Sequence, residues 1–190
     1  MLDVIRKFIS KILDHRTNRH RSSVTQRANG AALNPIGDLP TLVLEDGTVL
    51  TESLAICRYL EELQPAPPLL GTTMPERVRI NECVDRLMFR LYVPATQAFR
   101  HTHAFWADRL TQVPAYGELA REAVRGEFAW LESCLQDGRP FLLGAAFSLA
   151  DVVAYTSVDF AKAGGVRVGE GQPALRAYQE RIGSRPSARA

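Results

Sequence analysis

Residues 37–53, GDLPTLVLEDGTVLTES, decide the fold. Two short apolar runs stand on either side of the Asp46-Gly47 pair, and Pro40 stands at the entry to the first of them. Glycine tolerates the positive φ of a tight turn, so this pair between apolar runs predicts a β-hairpin. The apolar residues of TESLAICRYLEEL, residues 51–63, recur at helical spacing over about three turns. The stretch therefore predicts two antiparallel strands followed directly by a helix.

The chain changes character after that helix. The segment QPAPPLLG, residues 64–71, is rich in proline and cannot continue the helix. From there to the C-terminus, apolar residues that recur regularly do so at the spacing of a helix. We therefore expect an α+β domain at residues 1–64, a linker at residues 65–72 and an all-helical domain at residues 73–190.

Composition narrows the class of protein. The chain has 190 residues, of which 46% are apolar and 23% charged, as in an ordinary globular protein. No apolar run approaches the roughly 20 residues that cross a bilayer, and no secretory signal opens the chain, so we expect a cytoplasmic protein without a membrane partner. The cysteines are odd in number and far apart, which favours reduced thiols over a disulfide framework or a metal site; they are Cys57, Cys83 and Cys134.

The first 30 residues are strongly basic, with seven Lys or Arg against two acids. Such an arm is typical of proteins that hold nucleic acid or an anionic surface. The apolar residues of VIRKFISKIL, residues 4–13, nevertheless fall on one helical face. This periodicity favours an amphipathic helix with a solvated basic face, so a nucleic-acid partner is not expected.

Two features of the opening stretch are suited to a small peptide ligand. A cis Leu39–Pro40 bond at the entry of a strand would turn the backbone N–H and C=O of Leu39 outward, where an extended peptide can pair with them. Glu52 and Ser53 stand at the predicted helix start, where unpaired N–H groups favour a carboxylate and Glu52 could meet an amine. Together they predict a pocket for a zwitterionic peptide.

A purely structural interpretation of the same residues stays open. Ser53 or Thr51 would then be an N-cap, Glu52 a partner of the helix dipole and Pro40 an ordinary edge-strand proline.

Three motifs occur together in the order and spacing of one known family. NPIGDLP (34–40), LVLEDGTVL (42–50) and TES (51–53) resemble the thioredoxin-like domain of the glutathione transferases. PFLLGAAFSLADVVAY (140–155), with its Ser148-x-x-Asp151 capping box, is similar to the core segment of their helical domain. The resemblance covers about residues 31–190. It implies the glutathione transferase fold, with glutathione held by Leu39, Pro40, Glu52 and Ser53 as substrate or ligand.

The resemblance implies different roles for these residues. Leu39 precedes a cis proline and pairs with the cysteinyl backbone of glutathione. Glu52 and Ser53 hold its γ-glutamyl end.

The head of the chain departs from this family, which activates the glutathione thiol with a Tyr, Ser or Cys near the end of its first strand. Here the first Tyr is Tyr59, the first Cys is Cys57, and Ser10 lies within the predicted first helix. The three residues before that helix are too few for a strand of about five. No catalytic residue is identified, so a start lying further upstream and a rebuilt, non-catalytic head are both open. The two functional hypotheses are conjugation of glutathione to an apolar electrophile and a non-catalytic interaction module on the same fold.

Further expectations concern the helical domain. Apolar and aromatic residues at helical spacing predict either a pocket for the electrophile or ordinary core; they are Met88, Phe89, Tyr92 and Phe99. His101 and His103 point apart on a helix, so no metal site is expected. We also expect a homodimer, as is usual for this fold, with an isologous patch formed by the apolar side chains of residues 57–63 and 80–89.

Overall fold

The computed structural model describes residues 23–24, 34–36 and 40–188. Three short strands form an antiparallel sheet in the order β1-β2-β3, where β1 is Ser23–Val24, β2 is Leu42–Val43 and β3 is Val49–Leu50. In its register, Leu42 pairs with Leu50 and Val43 with Val49. The predicted amphipathic helix at residues 4–13 and the Leu39–Pro40 bond lie outside the described residues.

The turn between β2 and β3 forms as the Asp46-Gly47 pair predicts. Gly47 has a φ of 82°, and its N–H donates to the carbonyl of Leu44 at 3.0 Å. The Asp46 carboxylate accepts the N–H of Thr48 at 2.8 Å, and this hydrogen bond holds the pKa of Asp46 below its usual value. The hairpin prediction is confirmed.

Helix α1, Ser53–Leu63, follows the hairpin and packs on it. Ile56 and Leu60 project from the same helical face and are buried against Leu42 of β2. Leu50 and Tyr59 pack at the edge of this cluster. Since the helix begins only three residues after β3, this small core fixes its N-terminus close to the open end of the hairpin.

The second part of the chain is helical. Its elements are α2 Met74–Leu87, a π-helix Met88–Tyr92, α3 Val93–Thr102, a 3₁₀-helix Ala104–Trp106, α4 Pro114–Leu135, α5 Leu149–Ala161, α6 Pro173–Gly183 and a 3₁₀-helix Pro186–Ala188. The described residues divide into two compact units between Pro68 and Leu69, with residues from Arg185 onward grouped with the first. The predicted class, an α+β thioredoxin-like domain followed by an all-helical domain, is confirmed.

A single helical rod runs through α2, the π-helix and α3. Pro94 has no N–H to donate, so the α-helical hydrogen bond cannot form at that residue. The N–H of Val93 donates instead to the carbonyl of Met88, five residues earlier. The rod therefore widens by one residue immediately before Pro94 and continues to Thr102.

A fully buried carboxylate organises the start of α5. Asp151 accepts the backbone N–H of Leu142 at 2.7 Å and that of Ser148 at 2.8 Å. It also accepts the hydroxyls of Ser148 at 3.1 Å and Tyr178 at 2.9 Å. The predicted capping box is confirmed. Because Tyr178 lies on α6, the same carboxylate ties the loop before α5 to the C-terminal helix.

Two further buried carboxylates join the helices around α4. Glu132 accepts the N–H groups of Ala174 and Leu175 at 3.2 and 2.8 Å, so a side chain of α4 caps the N-terminus of α6. Glu127 accepts two hydrogen bonds from Arg86 of α2, at 2.6 and 3.1 Å. In the described part of the chain, no helix is both long and apolar enough to cross a membrane.

Half of the apolar residues predicted for a dimer patch lie in the chain's own core. In residues 57–63 and 80–89, five apolar side chains are buried within the single chain: Leu60, Ile80, Cys83, Val84 and Leu87. Of the remainder, Leu63 is 49% and Phe89 is 72% exposed. The expectation that this whole set forms a contact surface is therefore wrong for its buried members.

Candidate functional site at the start of helix α1

The N-terminus of α1 has no side-chain cap. Glu52 occupies the N-cap position, and its carbonyl accepts the N–H of Ile56 at 3.0 Å, the first hydrogen bond of the helix. No side chain among the described residues accepts a hydrogen bond from the N–H groups of the first turn of α1, before Ile56. The interpretation of Thr51 or Ser53 as an N-cap is therefore wrong. These N–H groups, with the positive end of the helix dipole, form a site suited to an anion.

The backbone at Glu52 is strained. Its φ of 65° and ψ of 118° lie in a region that residues other than glycine rarely adopt. Glu52 is the one non-glycine residue in the described part of the chain with a positive φ. Such a conformation costs on the order of 1–3 kcal/mol and is typical of positions where function requires it. The carboxylate of Glu52 is exposed, and the adjacent Ser53 is half-buried.

Pro40 precedes β2 at the end of the hairpin where Glu52 follows β3. In the antiparallel register Leu42 pairs with Leu50, and Pro40 and Glu52 each lie two residues beyond this pair, towards the open end of the hairpin. Both Pro40 and the following Thr41 are buried. Pro40 and Glu52 therefore flank the same end of the hairpin, whereas Leu39 lies outside the described residues.

This arrangement can recognise an α-amino acid end group. Unpaired N–H groups at a helix start donate hydrogen bonds to a carboxylate, and the carboxylate of the exposed residue Glu52, at the same position, is suited to an ammonium group. A free amino acid and the end of a γ-linked peptide carry both groups on one α-carbon. Since no described side chain caps the helix, a ligand carboxylate would be its first cap.

The four residues predicted for an electrophile pocket do not behave alike. Tyr92 and Phe99 both contact the ring of Phe160, with centroid distances of 5.7 and 5.8 Å. Phe99 also contacts Trp106 at 6.0 Å. Met88 is half-buried, whereas Phe89 is mostly exposed and takes part in none of these ring contacts. Sequence reasoning missed Phe160, because it lies on α5, 61 residues after Phe99, where no local pattern connects it to the others.

The two histidines have structural partners. His101 Nδ1 accepts the N–H of Val113 at 3.1 Å, and His103 Nδ1 accepts the N–H of Phe105 at 3.1 Å. The ring of His103 therefore caps the short 3₁₀-helix that follows it, and the ring of His101 joins the end of α3 to the residue before α4. Among the described residues, no three His, Cys, Asp or Glu side chains form a group that could hold a metal ion.

Cys57 and Cys83 are poor nucleophiles. All three cysteines are free. Burial raises the pKa of Cys57 to about 11 and that of Cys83 to about 12. Neither supplies a thiolate near neutral pH. Ser10 lies outside the described residues, so the catalytic residue stays unidentified.

Comparison with known families gives a consistent result for both units. Residues 9–63 match the family described as Glutathione S-transferase, N-terminal domain. Residues 92–181 match Glutathione S-transferase, C-terminal domain. Together these matches cover more than half of the chain.

Individual relatives point the same way. The chain is 31% identical over 158 residues to Glutathione S-transferase 2 of Saccharomyces cerevisiae. This alignment covers 82% of this chain and 67% of that protein. It is 28% identical over 156 residues to Glutathione S-transferase GstA of Escherichia coli O157:H7, covering 82% and 72% of the two chains.

Solved structures extend the likeness to the fold. The crystal structure of Gtt2 from Saccharomyces cerevisiae matches with a TM-score of 0.82 at 26% identity, covering 98% of this chain and 92% of that one. A sphingomonad glutathione S-transferase complexed with glutathione matches with a TM-score of 0.69 at 28% identity, covering 83% and 74%.

Proposed function

Since the chain belongs to the glutathione S-transferase family, we propose that it binds glutathione at the N-terminus of α1. The observation that carries this proposal is the uncapped helix start beside the exposed, strained Glu52. The first-turn N–H groups and the Ser53 hydroxyl would donate hydrogen bonds to the γ-glutamyl carboxylate, and the Glu52 carboxylate would accept hydrogen bonds from its ammonium group. The match to a relative complexed with glutathione supports the choice of ligand.

The remaining contacts follow from the hairpin. Leu39 precedes Pro40, and in our proposal its backbone N–H and C=O pair with the cysteinyl residue of glutathione as a short added strand. The hairpin register supports this arrangement, because Pro40 and Glu52 flank the same end of the hairpin and one extended tripeptide could contact both.

The reaction we propose is attack of the glutathione thiolate on an apolar electrophile. Tyr92 and Phe99, with Phe160, form an apolar surface suited to such a substrate, and the half-buried Met88 is a further candidate. The protein's own contribution would be to position the thiol and lower its pKa. We place the hydrogen-bond donor that would lower the pKa of the thiol among residues that the structure does not describe.

We also propose that the protein is a cytoplasmic homodimer. The exposed apolar side chains along the rod recur on one face, at Met74, Val78, Phe89 and Val93. A two-fold contact would bury this face on both chains at once. Light scattering of the wild type is expected to give twice the chain mass of 21.1 kDa, and a monomeric mass at micromolar concentration contradicts the proposal.

The binding proposal is tested by comparing glutathione with a fragment of it. Calorimetry compares glutathione with cysteinylglycine, which lacks the γ-glutamyl residue. Charge-assisted hydrogen bonds contribute about 1.5–3 kcal/mol each, so the dipeptide is expected to bind roughly 10- to 100-fold more weakly. Equal affinities would show that the α1 site does not hold the γ-glutamyl end. Conjugation is assayed separately with a chloronitrobenzene, where a rate equal to the uncatalysed one would refute the proposed reaction while leaving binding intact.

A further inference from the structure

Two of the three thiols of this chain face one cavity that contains no residue of the proposed glutathione site. The cavity has a volume of about 270 Å³ and lies between α2, α4 and the loop after α4. Cys83 of α2 and Cys134 of α4 both line it. Cys83 is buried and Cys134 is half-buried, and neither forms a disulfide.

The direction of the helices explains why these thiols meet. Thr102, at the end of the rod, accepts a hydrogen bond from Arg121 near the start of α4, at 2.7 Å. Arg86, earlier in the rod, bonds to Glu127, further along α4, at 2.6 Å. The rod and α4 therefore run antiparallel.

The side chain of Arg86 fixes the register at the cavity. Its guanidinium group lies 3.9 Å from the ring centroid of Trp130 on α4. Cys83 lies about one helical turn before Arg86, and Cys134 lies about one turn after Trp130. In an antiparallel pair these two positions oppose each other, so the fold directs both thiols into the same space.

The charged residues that line the cavity suit a complex with a net negative charge. They are Arg79, Arg86 and Arg139, against one acid, Glu82. Two thiolates that share one monovalent cation form such a complex, because their two negative charges exceed the single positive charge of the ion.

We propose that Cys83 and Cys134 bind one soft monovalent d¹⁰ cation, of the Cu(I) and Ag(I) class, as a two-coordinate bis-thiolate. Thiolates select such ions over harder cations. Binding breaks two S–H bonds and forms two metal–sulfur bonds, and both protons pass to solvent. The complex carries one net negative charge. The cavity has ample room, because a water molecule needs only about 10–15 Å³ of such volume.

Ag(I) is the probe for this site, because it does not change oxidation state under the assay. Native mass spectrometry in excess 2-mercaptoethanol measures how much Ag(I) the protein retains when a ligand with a single thiol competes for the ion. Wild type and Cys57→Ser are expected to retain one Ag(I) per chain. Cys83→Ser and Cys134→Ser are each expected to bind on the order of 100-fold more weakly, since each loses the advantage of two linked ligands. Retention by either single variant, loss from Cys57→Ser or failure of the wild type to hold the ion would overturn the proposal.

A second measurement keeps all three cysteines. The chain has two tryptophans, Trp106 and Trp130, and only Trp130 lines the cavity. In Trp106→Phe, one equivalent of Ag(I) is expected to quench the remaining emission, because a heavy ion would lie beside the indole ring. In Trp130→Phe, the emission of Trp106 is expected to stay unchanged. Unquenched emission in Trp106→Phe, or equal quenching in both variants, would refute the site even if a cysteine variant failed to fold.

Discussion

Replacing Asp151 with Asn tests how the helical unit is held together. The wild-type carboxylate accepts two backbone N–H groups and two hydroxyls, from Leu142, Ser148 and Tyr178. An amide keeps one acceptor oxygen and presents an NH₂ group where the other oxygen stood. The hydroxyls can rotate and accept from that group, but a backbone N–H cannot. At least one buried N–H therefore loses its partner.

The size of the effect follows from this inventory. An unsatisfied buried N–H costs about 1–3 kcal/mol, and the hydrogen bonds that remain lose their charge-assisted strength. We expect Asp151→Asn to lower the free energy of unfolding by about 2–4 kcal/mol. For a chain of this size, such a loss lowers the melting temperature by roughly 5–15 °C.

The assay is urea unfolding followed by circular dichroism, with Asp159→Asn as a matched control. Asp159 lies on the same helix and pairs with Lys162 at 2.6 Å, but its side chain is 46% exposed. The control is expected to change stability by less than about 0.5 kcal/mol. A loss of unfolding free energy below about 1 kcal/mol in Asp151→Asn, or equal losses in both variants, would refute the claim that Asp151 holds the loop before α5 and α6 together.

Three further predictions concern other positions. Glu52→Gly should leave the protein as stable or raise its stability by about 1 kcal/mol in thermal melts, because glycine relieves the positive φ, while glutathione binding measured by calorimetry becomes weaker. A backbone hydrogen bond from Thr73 and bonds from Thr72 lower the pKa of Glu76 to about 2, against an ordinary value of 4.5. Its stabilising contribution is therefore complete above the ordinary value and disappears as the pH falls towards 2, so acid titrations of wild type and Glu76→Gln should converge there. Phe89→Asp should convert the proposed dimer to a monomer in light scattering, whereas Arg90→Asp, a charge change at an adjacent exposed position, should not.

Local patterns predicted the parts of the fold that local physics determines. The hairpin follows from one Asp-Gly pair, and α1 and the capping box follow from short-range periodicity. The contacts of Tyr178 with Asp151 and of Phe160 with Phe99 join residues far apart in sequence, and no pattern within a window of ten or twenty residues contains them. The dimer patch was mispredicted for the same reason: an apolar side chain such as Val84 can face a partner or its own core, and only the packing of the whole chain decides which.

The candidate site could be predicted only in part, for the same reason. Glu52 and Ser53 could be predicted because a helix start leaves unpaired N–H groups in any protein. The positive φ of Glu52 could not, because glutamate has no intrinsic preference for it and the surrounding fold imposes it. The residues proposed for the electrophile pocket were chosen from one stretch of sequence, so they include the exposed Phe89 and leave out Phe160, which contacts Phe99 from another helix.

The central claim is that glutathione binds at the start of α1, and the amide signals of that helix test it directly. Two-dimensional ¹H–¹⁵N spectra are recorded while glutathione is added to the uniformly labelled protein. The account predicts that the N–H signals of Ser53 and Leu54 shift progressively and saturate, while those of Leu60, on the same helix, hardly move. Saturating shifts confined to other parts of the chain, or no shifts at millimolar glutathione, would contradict it.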